Sequence, residues 1–194
     1  MFRQEGNRII FHYDAEELWV EPWGEDAVRV RATKQAIMPE KNWALIRQPE
    51  VKDVVVNITA DGAELINRKL RVHITAGGKI TMYHQNGNLL LEEYWRDRRE
   101  LTDPKCSAIE VEAREFRPNI GGDYHLTMRF ESIDRNEKIY GMGQYQQPYL
   151  NLKGVDLEMA HRNSQSSVPF AISSLGYGLL WNNPGVGRAV FGKN

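Results

Sequence analysis

A chain of 194 residues is long enough to bury a sizeable core, and its 41% apolar content excludes a disordered protein. Net charge is -1 with acids and bases interspersed, which gives neither nucleic acid nor an anionic membrane surface a footprint; no apolar run reaches membrane-spanning length. Cys106 is the only cysteine, so no internal disulfide can form; with no apolar signal region after Met1–Glu5, a reducing cytoplasm is the expected setting.

Period two dominates from the start. Val28, Val30 and Ala32 alternate with Arg29 and Arg31, which predicts a strand with one buried and one solvated face. Asn57-Ile58-Thr59 matches a glycosylation sequon, which chance explains when no secretory signal accompanies it. Leu70, Val72 and Ile74 alternate with Arg71 and His73, and Gly77-Gly78 separates this run from Ile80–Tyr83. Asn86-Gly87 stands between Thr81–His84 and Leu89-Leu90-Leu91, a hairpin signal because both residues tolerate positive φ. Glu93–Leu101 admits a helical turn or two, or an exposed charged loop. Ile109, Val111 and Ala113 alternate with Glu110 and Glu112. After Gly121-Gly122, Tyr124, Leu126, Met128 and Phe130 alternate with polar residues. Leu150–Ser167 is the least regular stretch, and a long polar connection is uncommon unless it has a function. Gly176 and Gly178 sit between Val168–Ser173 and Leu179–Trp181. Roughly ten short strands punctuated this way predict an all-β protein, an antiparallel β-sandwich spanning 1–194 as one domain. The last residues, Val190-Phe191-Gly192-Lys193-Asn194, read as the middle or end of a strand, so a truncated polypeptide is expected.

The chemistry carried by single residues is sparse. The five histidines do not cluster at metal-ligand spacing, and His73 and His125 fall on polar strand faces. Cys106 has no histidine near it in sequence, and an inert thiol is the default. Gly141-Met142-Gly143 and Gly185-Val186-Gly187 lack the third glycine and helix of a nucleotide site, so tight strand turns are preferred and no cofactor is expected. Glycoside cleavage needs two carboxyl groups across the scissile bond. Glu92 and Glu93 should point to opposite faces of a strand. Asp156 and Glu158 can share one, but by themselves all four read as solvated charges. Trp19, Trp23, Trp43, Trp95 and Trp181 offer flat faces for sugar rings, yet a sandwich tryptophan is usually core. Tyr145 and Tyr149 are better candidates for an exposed surface.

Two stretches resemble the N-terminal domain of family 31 glycoside hydrolases, the α-glucosidases and α-xylosidases. The first is Val20-Glu21-Pro22-Trp23-Gly24-Glu25-Asp26-Ala27 with Val28–Thr33. The second runs from Ile139-Tyr140-Gly141-Met142-Gly143-Gln144 through Leu152-Lys153-Gly154, His161-Arg162-Asn163 and Val168-Pro169-Phe170. It ends on Ser173-Ser174, Gly176-Tyr177-Gly178 and Trp181-Asn182-Asn183-Pro184. The resemblance implies a galactose-mutarotase-like sandwich. It also implies a following (β/α)8 barrel, absent from this chain, which carries the aspartate nucleophile and acid/base of a retaining glycosidase. A loop of the N-terminal domain in that family reaches the barrel's mouth; the matching segment here is Gln144–Ser167. The family's usual glutamate at the start of this loop is Gln144, and Arg162-Asn163 stands near the place of a later family acid.

Gln144, Arg162 and Asn163 are thus the substrate-binding candidates. An amide offers both a donor and an acceptor, and a guanidinium several donors, which suits sugar hydroxyls. Equally, Arg162 and Asn163 can pin the loop to the sandwich. The expected role is a non-catalytic domain of an α-glycosidase whose partners are a carbohydrate substrate and the catalytic barrel of the same polypeptide, with no activity in the fragment alone. Alternatives are a free carbohydrate-binding module, which requires an exposed aromatic platform, and a mutarotase-like epimerase, which requires His84 or His161 beside a glutamate in a cleft.

Overall fold

The computed structural model describes residues 1–42, 44–45, 50–98 and 106–192. Trp43, Asp103-Pro104-Lys105 and the 99–101 end of the charged segment lie outside the described residues. Among the described residues there are sixteen strands and no helix, hence no helix long and apolar enough to cross a membrane. All strand pairings are antiparallel. The chain divides into two compact units, Met1–Glu40 with Arg47–Glu131, and Lys41–Ile46 with Ser132–Asn194.

The first unit is a sandwich. One sheet orders β1 (Phe2–Glu5), β2 (Arg8–Tyr13), β3 (Glu16–Pro22) and β4 (Val28–Thr33) side by side. The other runs β5 (Val54–Ile58), β6 (Gly62–Asn67), β7 (Leu70–Thr75), β8 (Ile80–His84) and β9 (Leu89–Glu92). A separate ribbon pairs β10 (Arg114–Pro118) with β11 (Tyr124–Met128). Ile9, Phe11, Leu18 and Val20 of the first sheet meet Ala63, Leu65, Val72, Ile74 and Ile80 of the second in one buried cluster. This is what period-two alternation dictates when one face of each sheet is apolar.

Strand β4 departs from the expected solvated face. Val28, Val30 and Ala32 pack against the core as predicted, but Arg29 and Arg31 lie over a buried acid, Glu21. Arg31 Nη2 is 2.8 Å and Arg8 Nη2 2.9 Å from the Glu21 carboxylate. The same two guanidiniums lie 3.9 Å (Arg8) and 4.7 Å (Arg31) from the Trp19 ring centroid. A carboxylate and an indole together give arginines partners that outcompete bulk water.

Three further expectations change. The Asn86-Gly87 turn closes the β8–β9 hairpin, but only Gly87 adopts positive φ (88°). Gly87 donates its N–H to the His84 carbonyl and His84 N–H to Asn88, a three-residue connection ending in a left-handed glycine. The Ile109–Ala113 alternation forms no strand. Val111 makes one isolated bridge to Arg96, Ile109 is exposed, and pairing begins at Arg114; alternation alone supplies no neighbouring strand to bond with. Glu93, expected at the surface, is buried, and the described part of 93–101 is held extended by bridges from Glu93 to Phe130 and Arg96 to Val111.

Arg114 is the reason Glu93 can be inside. Its Nη1 bonds Glu93, its Nε lies 2.6 Å from Glu16 Oε1, and its Nη2 donates to the Gly78 carbonyl at 2.9 Å. Glu93 also accepts the Ile80 N–H at 2.7 Å. Burial pushes the Glu93 carboxyl up, against the pull of Arg114.

The second unit has one sheet ordered β12 (Ile139–Gln144), β14 (Ser166–Ser173), β15 (Tyr177–Leu180), and a pair formed by β13 (Asp156–Met159) and β16 (Gly187–Val190). The stretch read as irregular therefore contains a strand. Leu157 faces a core of Ile139, Met142, Leu152 and Ala171, and β13 finds its partner thirty residues on in β16, a pairing no local pattern announces. Buried Glu137 accepts hydrogen bonds from Ser173 Oγ at 2.5 Å and the Tyr177 hydroxyl at 2.9 Å, stapling the β14–β15 hairpin to the chain before β12. Burial and then the charge of Glu137 raise the Tyr177 phenol, keeping it a donor.

Strand β12 is irregular at Gly141, Met142 and Gly143, which have φ of 99°, 64° and 93°. Opposite them the ladder jumps from Ala171 to Ser167, so β14 carries two extra residues at the bulge. Pro169 lies in that gap, and its carbonyl accepts the Trp181 N–H just past the last paired residues of β14 and β15, so its missing N–H removes a bond only at the ladder's end.

Two stability predictions arise here. Arg114→Met strands a buried carboxylate and should cost about 3–5 kcal/mol in urea unfolding, while adding Glu93→Gln should recover part of it. At Gly143 a Cβ would sit 2.1 Å from the Ser166 carbonyl oxygen, at positive φ. Gly143→Ala should therefore destabilise the chain by more than about 1 kcal/mol in the same measurement.

Candidate functional site

The bulge in β12 delivers Gln144 opposite Ser166, at the start of β14. Immediately before Ser166 the chain makes a tight turn. Arg162 and Gln165 exchange N–H to carbonyl bonds of 3.2 Å in both directions, with Asn163 and Ser164 between them. Asn-Ser suits such a tip, since both side chains are short and polar. Backbone pairing thus brings Gln144, Arg162 and Asn163 onto one hairpin end, with Gln165-Ser166 as the link.

Their side chains differ in how they are engaged. Arg162 bonds the Glu158 carboxylate through Nε at 3.2 Å and Nη2 at 2.5 Å, which raises the guanidinium's affinity for its proton. Both partners are exposed. Among the described residues, the amides of Gln144 and Asn163 have no hydrogen-bond partner, and both side chains face solvent. The hairpin base is fixed by Tyr145, whose ring packs against the Met142–Leu157 core and whose hydroxyl donates to Ser167 Oγ at 2.9 Å. That hydroxyl also lies 3.3 Å from the Glu158 carbonyl.

Sequence reasoning missed Glu158 and Tyr145 as parts of this arrangement. Glu158 and Arg162 are opposite charges four positions apart, a signal that is read on helices and passes unnoticed in a loop. Tyr145 was expected to be exposed; it is half-buried because its ring caps the core.

The remaining candidates do not assemble. Asp156 and Glu158 alternate on β13, but each is committed to an arginine, Asp156 to Arg188 Nε at 2.6 Å. His84 Nδ1 accepts from Asn86 N–H and His161 is exposed; among the described residues neither bonds a glutamate. Trp19 is buried, Trp23, Trp95 and Trp181 are half-buried, and Tyr149 is exposed. Cys106 is an exposed free thiol with Sγ 3.7 Å from the Arg98 carbonyl. Among the described residues no group of three or more His, Cys, Asp or Glu can hold a metal. What the hairpin offers is neutral amide groups and one cation paired with Glu158, groups that can hydrogen-bond hydroxyls.

Comparison with known proteins identifies the family. Residues 17–187 match the model of the glycosyl hydrolase 31 N-terminal galactose mutarotase-like domain. An uncharacterized family 31 glucosidase of Pseudescherichia vulneris is 45% identical over 98% of the chain, and the match covers 37% of that protein. α-Xylosidase A of Aspergillus niger is 26% identical over 98% of the chain and 27% of its own length. A family 31 α-xylosidase from a soil metagenome, solved in complex with xylose, superposes over 100% of the chain and 29% of its own, with a TM-score of 0.96 and 44% identity. The chain therefore spans between 27% and 37% of the length of these relatives, and it belongs to the N-terminal galactose mutarotase-like domain family of glycoside hydrolase family 31.

Proposed function

We propose that this chain is the non-catalytic N-terminal domain of a retaining α-glycosidase acting on α-xylosides or α-glucosides, and that its hairpin end lines the substrate pocket. The observation that carries the reading is the match to the family's N-terminal domain model, together with near-complete alignment of the chain to 37% and 29% of two family 31 proteins, one of them an α-xylosidase solved with xylose. The catalytic groups belong to the remainder of the polypeptide, and the single cysteine of this chain supports a reducing, cytoplasmic setting. Gln144 and Asn163 support the pocket role because their amides are unspent, and a sugar hydroxyl needs a donor and an acceptor together. Glu158 engages Arg162 through Nε and Nη2, which leaves Nη1 available to a sugar hydroxyl.

The test is steady-state kinetics on aryl α-xylosides and α-glucosides. The isolated chain should turn over neither. In the whole polypeptide Asn163→Ala should remove one hydrogen bond, about 0.5–1.5 kcal/mol, and lower kcat/KM by about 2- to 10-fold. Arg162→Ala should lower kcat/KM in the same way. Neither substitution should move the unfolding midpoint, because both side chains are exposed. Unchanged kinetics for both would confine the hairpin to a structural role, and tight sugar binding by the isolated chain would identify a free binding module instead.

A further inference from the structure

Asn86-Gly87 is the one Asn-Gly pair in the chain, and its turn carries chemistry of its own. Both residues are exposed at the tip of the β8–β9 hairpin, and the space around Gly87 is open: a Cβ there would meet nothing within 4 Å. The Asn86 side-chain carbonyl accepts the Asn88 N–H at 3.0 Å. That bond draws electron density away from Cγ, and it points at the oxygen on which charge would develop if Cγ were attacked. The nearest nucleophile along the chain is the Gly87 nitrogen, which closes a small ring with Cγ. Its N–H is committed to the His84 carbonyl at 2.8 Å. The turn around it is pinned by His84 N–H to the Asn88 carbonyl at 2.9 Å and by Gln85 N–H to the Lys69 carbonyl at 2.7 Å. The folded hairpin therefore polarises the electrophile and restrains the nucleophile.

We propose that Asn86 is a deamidation site, gated by opening of the hydrogen bond from Gly87 to His84. Once that bond opens, the Gly87 nitrogen gives up its proton to solvent and forms a bond to Cγ. The Cγ–Nδ2 bond breaks, the departing nitrogen takes a proton back from solvent, and ammonia leaves behind a cyclic imide. Water then opens the imide at either carbonyl. Attack at the former side-chain carbonyl leaves aspartate, and attack at the main-chain carbonyl leaves isoaspartate. Nothing is oxidised or reduced, and water is the co-reactant. Other exposed asparagines are worse placed. Asn163-Ser164 and Asn57-Ile58 put a side chain beside the attacking nitrogen, where Gly87 has none. The isoaspartyl product routes the main chain through Cβ, adding a backbone atom inside the loop that His84 and Asn88 close. That closure is then out of register, and β9, which leads directly into buried Glu93, loses the turn that sets its pairing.

Peptide mapping by mass spectrometry, after storage of the chain in mildly alkaline buffer, reads the site. The expected result is conversion of amide to acid at Asn86, at least severalfold ahead of Asn163 and Asn57, with aspartyl and isoaspartyl peptides separating by chromatography. In urea, where the turn is open throughout, conversion at Asn86 should be faster by about tenfold or more. Gly87→Ala, compared in urea so that its φ no longer matters, should slow the conversion severalfold. Asn86→Ser should leave this peptide unchanged in mass. Conversion at Asn163 or Asn57 ahead of Asn86 would overturn the assignment, and so would an intact Asn86 in the folded chain, whether or not it reacts in urea. Equal rates in the folded chain and in urea would overturn the gate.

Discussion

Arg114 is the joint of the first unit. A single guanidinium reaches an acid at the start of β3, a carbonyl in the turn before β8 and an acid just after β9, and so ties both sheets to the β10–β11 ribbon. Taking these charges out of water is expensive, and a well-packed apolar substitute can match such a network in stability. What an apolar substitute lacks is direction. The guanidinium fork accepts partners only along its N–H bonds, so the three segments can meet in one arrangement and not in several.

The same economy recurs at Glu21 and Glu137. Each buried carboxylate gathers partners from different strands: Arg8 by a hydrogen bond and Arg31 by an ion pair at Glu21, Ser173 and Tyr177 by hydrogen bonds at Glu137. In a protein whose described residues contain no helix, β-sheet ladders satisfy the backbone but leave the angles between segments loosely determined. Buried acids with several donors supply that missing information, while the Leu65, Val72 and Ile74 cluster supplies the bulk of the driving force.

How much of this was legible in the sequence follows from the range of the interactions. The alternation at Leu70–Ile74 and the glycine at 87 act within a few residues, and both gave the expected strand and hairpin. The alternation at Ile109–Ala113 misled, because a strand exists only where another strand lies beside it. Strand β13 and the burial of Glu93 depend on partners far along the chain, β16 and Arg114, which no window of residues contains. Gln144, Arg162 and Asn163 were singled out by family resemblance, and backbone pairing brings them to one end of β12 and β14. Its engineering, with Tyr145 as anchor and Glu158 bracing Arg162, needed coordinates, since both residues read as ordinary surface.

Pro169 gives the apolar strand a property of a different kind. Val168–Ile172 combines high β-propensity, no charge and an exposed face, the composition from which cross-β stacks are built. A stack needs an unbroken row of N–H donors, and proline removes one near the centre of the segment. The native sheet tolerates the loss because the missing donor faces Trp181, beyond the last paired residue of β15. Proline at the ladder's end thus acts as a gatekeeper, leaving the apolar face open while denying the strand to copies of itself in register.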